Sequence, residues 1–197
     1  MVVDYGKAVR AATQSVTLGA MMAGQKECVD AGSLAKALLG YALTPAGPEL
    51  KRKCTPHYLD ELLFLKLFSV DYVLGMKAVA QPAFTSVRMH YNEEIARFCV
   101  GKESPFTHSR VIARFAAYSE ACNANTLAPK EYKGKQLVFW ELGKVFSRLA
   151  SDADPWVPNA LEVALHANIF VGDCERLADF LGQYDIAQIV SNNAGSR

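Results

Sequence analysis

Residues 56–80 read PHYLDELLFLKLFSVDYVLGMKAVA, and this stretch decides the fold class of the chain. It follows Thr55, whose hydroxyl can cap a helix, and it begins with proline, which is favoured at the first helical position. At about 100° per residue, its Leu, Phe, Val, Tyr and Met side chains cover two sides of a helix, and polar residues occupy only narrow edges. We therefore predict a buried central helix with neighbours on two sides. A break near Ser69 or Gly75 is an open alternative.

The rest of the chain carries the same helical periodicity and almost no strand-like alternation. Proline, glycine and short polar runs separate the helical segments. Further helices are predicted over residues 4–24, 33–43, 82–100, 104–122, 131–150, 159–171 and 173–184. The prediction is an all-α compact bundle of seven or eight helices, with a single helical domain over residues 1–191 and a disordered tail at residues 192–197.

Length and charge exclude several classes of partner. With 197 residues, of which 51% are hydrophobic, the chain can bury a sizeable core. Lys and Arg number 21 against 20 Asp and Glu, so the formal net charge is only +1 and provides no field for attracting nucleic acid or an anionic membrane. The most apolar stretch, residues 62–80, is interrupted by Lys66, Asp71 and Lys77, which favours a buried helix over a membrane span. We expect neither a nucleic-acid partner nor a membrane partner.

The cysteines and the N-terminal residues predict a reducing compartment. The five cysteines are odd in number and widely spaced, without a Cys-x-x-Cys pair, which argues against a disulfide framework and against a cysteine zinc site. Asp4, Lys7 and Arg10 interrupt the first turns, so these turns do not resemble a signal peptide. The expected location is cytoplasmic.

The pattern His-Tyr-x-x-Glu occurs twice, as HYLDE at residues 57–61 and as HYNEE at residues 90–94, and we name it the repeated word. On a helix, each copy sets a histidine and a glutamate on one face: His57 with Glu61, and His90 with Glu94. Nitrogen and oxygen ligands from two helices suit iron, manganese or zinc, so a metal-binding bundle, possibly an enzyme, is the alternative functional hypothesis. The spacing differs from the Glu-x-x-His of diiron bundles, and we favour structural ion pairs, with Arg97 available to Glu94.

No recognised catalytic signature is present in the sequence. Glycine-rich phosphate loops, the serine elbow and His-Glu-x-x-His are all missing from it. His108 shares a helix face with Val111 and Phe115, so a neutral, hydrogen-bonded histidine of the core is expected there. His166 falls between the faces of its helix and carries no prediction. No catalytic residue is predicted.

Trp140 is the residue that the core pattern does not explain. It falls opposite the apolar face of its helix, together with Gly143, Lys144 and Ser147, which indicates a second contact surface. Either another helix of the chain covers this surface, or a partner does. The leading hypothesis is a non-enzymatic cytoplasmic protein that binds another protein or itself, of the adaptor, chaperone-like or toxin- or enzyme-neutralising type. Its predicted binding surface includes Trp140 and Lys144.

Overall fold

The computed structural model describes residues 29–44, 52–79, 81–101, 104, 106–127, 135–151, 156–157 and 159–184. Regular structure in these ranges is helical, without a β-strand, so the all-α prediction is confirmed. The helix predicted over residues 4–24 and the tail at residues 192–197 lie outside the described residues. The helices are α1 (Ala31–Ala42), α2 (Pro56–Ala78), α3 (Ala83–Val100), α4 (His108–Leu127), α5 (Lys135–Ala150) and α6 (Ala160–Leu181).

Helix α2 is continuous from Pro56 to Ala78, so the alternative of a break inside it is wrong. Ser69 does not interrupt the helix, because its hydroxyl donates a hydrogen bond to the Leu65 carbonyl one turn earlier, at 2.8 Å. Burial on several sides of the helix agrees with a central position. The buried apolar residues of α2 are Leu62, Phe64, Leu65, Leu67, Phe68, Val70, Val73 and Leu74.

Polar caps explain where two helices begin. Asp30 accepts hydrogen bonds from the backbone and the hydroxyl of Ser33, at 2.9 and 2.8 Å, so α1 begins earlier than predicted. These bonds lower the pKa of Asp30. Asn159 caps α6 through its side-chain oxygen, which accepts from the backbone of Leu161 at 3.0 Å. The two C-terminal helices expected from the sequence form the single helix α6, and the described residues thus contain six helices.

The chain divides into two compact units, and the division falls inside α2 and inside α6. The first unit comprises the described residues within 1–45, 70–108 and 176–197. In it, α1 packs against α3, and the ring of Tyr41 lies 5.4 Å from that of Phe180. The buried residues of α1 and α3 are Ala31, Leu34, Ala35, Leu38, Ala42, Ala83, Phe84, Val87, Tyr91 and Ile95.

The second unit comprises the described residues within 46–69 and 109–175. Phe68 of α2 lies at its centre, with ring centroids 5.6 Å from Phe115, 5.3 Å from Tyr118 and 6.2 Å from Phe170. Aromatic contacts of this kind therefore join α2, α4 and α6 in one core. The single domain predicted over residues 1–191 stays a prediction. None of the described helices combines the length and the apolar character that crossing a membrane requires.

Candidate functional site

His57 serves as a helix cap in the second unit. Its Nε2 lies 2.7 Å from the carbonyl oxygen of Leu149, which belongs to the last turn of α5. A carbonyl only accepts, so Nε2 carries the proton and donates. The last carbonyls of a helix lack partners within the helix, and His57 supplies one.

Glu61 is fully buried and is held by two arginines of α4. Arg114 donates from Nε and Nη2 at 2.7 and 2.6 Å, and Nη2 of Arg110 lies at 3.3 Å. The guanidinium groups lie over the ring of Phe64, 4.9 Å from its centroid for Arg110 and 5.9 Å for Arg114. The hydrogen bond to Glu61 raises the pKa of Arg114. These two arginines satisfy the hydrogen-bonding capacity of the buried carboxylate, and we name Glu61, Arg110 and Arg114 the buried fork. Glu61 therefore joins α2 to α4.

The second copy of the repeated word makes local ion pairs in the first unit. Arg97 donates to Glu94, as expected from the sequence, and also lies 3.4 Å from Glu93. His90 Nδ1 is 3.3 Å from the same Glu93 carboxylate. The Glu94 side chain is only 14% exposed.

The predicted metal ligands are divided between the two units. His57 and Glu61 belong to the second unit, whereas His90 and Glu94 belong to the first. Within the described ranges, no group of three or more His, Cys, Asp or Glu side chains could hold a metal ion. Glu61 and Glu94 are paired with arginines, which supports the ion-pair interpretation for the two glutamates, whereas His57 contacts a backbone carbonyl. The metal site stays a prediction without support from the described residues.

A second buried carboxylate, Asp71 of α2, was not recognised as a site from the sequence. Arg88 of α3 donates to it twice, at 2.8 and 2.7 Å, and Asn92 donates at 3.1 Å. A Cβ atom at Gly75 would lie 3.1 Å from Nη1 of Arg88, so glycine there leaves space for the guanidinium beside α2. Asp71 and Glu61 both lie on α2, and each pairs with an arginine of another helix.

The buried histidine of the second unit is His166, whereas His108 is exposed. The prediction for His108 is wrong because this residue begins α4, before the buried face starts at Val111. Nδ1 of His166 lies 2.6 Å from the hydroxyl of Ser147. A serine and a histidine can form a nucleophile–base pair, but Ser147 is fully buried inside α5, where a substrate does not reach it. The contact joins α5 to α6 inside the core.

The face of α5 that carries Trp140 is covered in part by the same chain. Gly143 packs against α6, where an added Cβ atom would lie 2.5 Å from the Val163 carbonyl oxygen. Ser147 is covered by α6 as well, through its contact with His166. Trp140 itself remains 37% exposed, and Lys144 pairs with Glu141 at 2.7 Å.

Helix α6 exposes apolar side chains to solvent, and the sequence did not predict this exposure. Leu161 and Leu165, one turn apart, are 71% and 57% exposed, and Val157, just before the helix, is 74% exposed. We name these three residues the α6 stripe. Apolar residues occur all around this helix, so its pattern alone did not separate the stripe from the buried face. That buried face includes Val163, Ala167 and Phe170.

Comparisons of this chain with protein-family models, with curated proteins and with solved structures give no match. Glu61, Asp71 and His166 are buried and engaged with neighbouring helices, whereas Trp140 and the α6 stripe are accessible. These four accessible side chains, Trp140, Val157, Leu161 and Leu165, are apolar.

Proposed function

We propose that the protein is non-enzymatic and acts by binding another protein, through the α6 stripe and Trp140 of its second unit. The observation that carries this proposal is the exposure of Leu161 and Leu165 on successive turns of α6, while Val163 between them is fully buried. Covering apolar surface contributes about 25 cal/mol for each Å² removed from water, so a partner that covers both leucines gains free energy. Aromatic residues such as Trp140 contribute strongly to many interfaces.

The stripe suits an amphipathic helix of the partner protein. Leu161 and Leu165 are separated by about 6 Å along the helix axis, which matches the spacing of apolar side chains on another helix. Three side chains of this size cover far less than the roughly 800 Å² per partner of a standard stable interface. A short helix bound transiently therefore fits the stripe better than a stable dimer of this chain. With a net charge of +1, apolar contact rather than long-range attraction selects the partner.

The buried polar groups support a binding role over a catalytic one. Glu61 and Asp71 are neutralised by arginines, and the Ser147 hydroxyl contacts His166 inside the core. The adaptor, chaperone-like or neutralising type of activity, the cytoplasmic location and a seventh helix over residues 4–24 belong to the same proposal. Elemental analysis of the purified protein separates it from the metal-binding alternative, which requires a stoichiometric transition metal.

Replacing Trp140 with alanine should weaken partner binding at least tenfold, because an interfacial tryptophan commonly contributes about 2 kcal/mol or more. The measurement is affinity capture with the tagged protein, followed by titration of the purified partner identified by mass spectrometry. Ile112→Ala is the matched control, since Ile112 is 56% exposed on α4 of the same unit. If the wild type and the Trp140→Ala variant bind the partner with equal affinity, Trp140 is not part of the binding surface. Sedimentation analysis of the protein alone detects self-association. If the protein self-associates through this surface, a second copy of the chain binds there instead of a partner helix.

A further inference from the structure

Helices α5 and α6 approach each other at backbone distance. An added Cβ atom at Gly143 would lie 2.5 Å from the Val163 carbonyl oxygen and 3.1 Å from the Ala167 backbone nitrogen. Ser147 lies one turn after Gly143 on α5, and His166 lies next to Ala167 on α6. This contact between small residues leaves the imidazole of His166 inside the seam, which we define as Gly143, Ser147, Val163, His166 and Ala167.

The surroundings of His166 favour a neutral ring. The residue is 6% exposed, and its ring centroid lies 4.6 Å from that of Phe146 and 5.7 Å from that of Tyr58. When Nδ1 accepts the Ser147 hydroxyl proton, Nε2 carries the ring proton and the imidazole is uncharged. In a charged imidazolium at the same place, Nδ1 would donate to the Ser147 oxygen instead, and the charge would lie in the core without full hydration.

The groups that face His166 from each neighbouring helix offer one compensating charge. From α2 comes the phenol of Tyr58, and burial raises its pKa, so it stays uncharged. From α5 come Phe146 and Ser147, which carry no charge. On α6, Glu162 lies one turn before His166 and partly favours the protonated ring. Burial is the larger influence and lowers the pKa of His166.

We propose that His166 is an acid-responsive switch, and that its protonation opens the seam between α5 and α6. Because Gly143 holds the two backbones together, the charged ring gains hydration only when the helices separate locally. An unfolded histidine binds a proton near pH 6.5, and the folded one does so at lower pH. The stabilising contribution of neutral His166 is therefore complete above about pH 6.5 and decreases as the pH falls from there through the folded-state pKa.

Hydrogen–deuterium exchange tests this proposal, with rates corrected for the intrinsic effect of pH. When the pH falls from 7.5 to 5.5, we expect the protection factors of amides in α5 and in the first half of α6 to decrease by about threefold to tenfold. His166→Gln should abolish this loss, because glutamine offers an oxygen to Ser147 and does not titrate. His108→Gln should retain it, since His108 is exposed. The same loss in His166→Gln, or unchanged protection in the wild type, would overturn the proposal.

A second measurement keeps the proposal testable if His166→Gln fails to fold. The ring protons of the four histidines can be titrated by NMR in the wild-type protein. The His166 resonance should titrate below the ordinary range, together with the loss of α5 and α6 protection. Glu162→Gln should move the titration of His166 in the folded protein to lower pH, because it removes the favourable carboxylate. Titration of His166 without any change in protection would contradict the switch.

Discussion

Replacing Glu61 with glutamine should lower the free energy of unfolding by about 3 kcal/mol, because breaking a buried ion pair leaves uncompensated charge inside the protein. Glu61 is fully buried, and its carboxylate is shared by Arg110 and Arg114. Glutamine keeps the size of the side chain but presents one oxygen and an NH₂ group to donors that all carry positive charge. Chemical denaturation followed by circular dichroism measures the difference.

Glu93→Gln is the matched control for this substitution. Glu93 also contacts an arginine, but its side chain is 47% exposed and the contact with Arg97 is 3.4 Å. Exposed pairs contribute about 0–1 kcal/mol, so the control should change stability by no more than about 1 kcal/mol. Similar effects from the two substitutions would show that the buried fork does not hold α2 to α4 as described.

Gly143→Ala should lower the free energy of unfolding by about 2 kcal/mol, although alanine is the better helix former by about 1 kcal/mol. The added methyl group would lie 2.5 Å from the Val163 carbonyl oxygen, and backbone atoms do not move aside as a flexible side chain does. Helices α5 and α6 must therefore separate to admit it. Thermal or chemical unfolding of the variant measures the cost.

Gly75→Ala provides the comparison within another helix interior. There the methyl group would meet the guanidinium of Arg88 at 3.1 Å, and a long side chain of this kind can shift. We expect a change within about 1 kcal/mol, since the gain in helix propensity offsets the displacement. If the Gly143→Ala variant is as stable as the Gly75→Ala variant, the close contact between α5 and α6 is contradicted.

The helical architecture could be predicted because it depends on local signals. Proline at the start of α2 and the apolar residues on its two sides identified a buried helix, and the structure confirms it from Pro56 to Ala78. Caps were harder to locate, since Asp30 rather than Ser33 begins α1. The division of the C-terminal segment into two helices was wrong because Asp173 lies within the continuous helix α6.

The side-chain sites were less predictable because their partners are distant in sequence. The sequence indicated that Glu61 needs a partner, but Arg110 and Arg114 lie 49 and 53 residues away. For histidine, position relative to the helix start mattered more than periodicity: His108 is exposed at the first residue of α4, whereas His166 is enclosed by α2 and α5. Such enclosure depends on tertiary packing, which one helix pattern does not contain.

The polar and the apolar candidate residues differ in role. The two copies of the repeated word supply a helix cap and ion pairs, and these contacts stabilise the fold. Trp140 and the α6 stripe form the proposed binding surface. The α6 stripe was identified from the structure alone, because the sequence had not indicated it.

The most direct measurement is the affinity of the partner protein for a variant that carries Leu161→Glu and Leu165→Glu. Both side chains are exposed, so the fold should persist while two charges oppose apolar contact. The control carries Ile112→Glu and Ser119→Glu, which add the same charge at exposed positions of α4. The partner is captured with wild-type protein, identified by mass spectrometry, purified and titrated by calorimetry. We predict a Kd at least tenfold weaker for the Leu161 and Leu165 variant and an unchanged Kd for the control. Equal affinity of the two variants, or the absence of any specifically captured protein, would contradict the account.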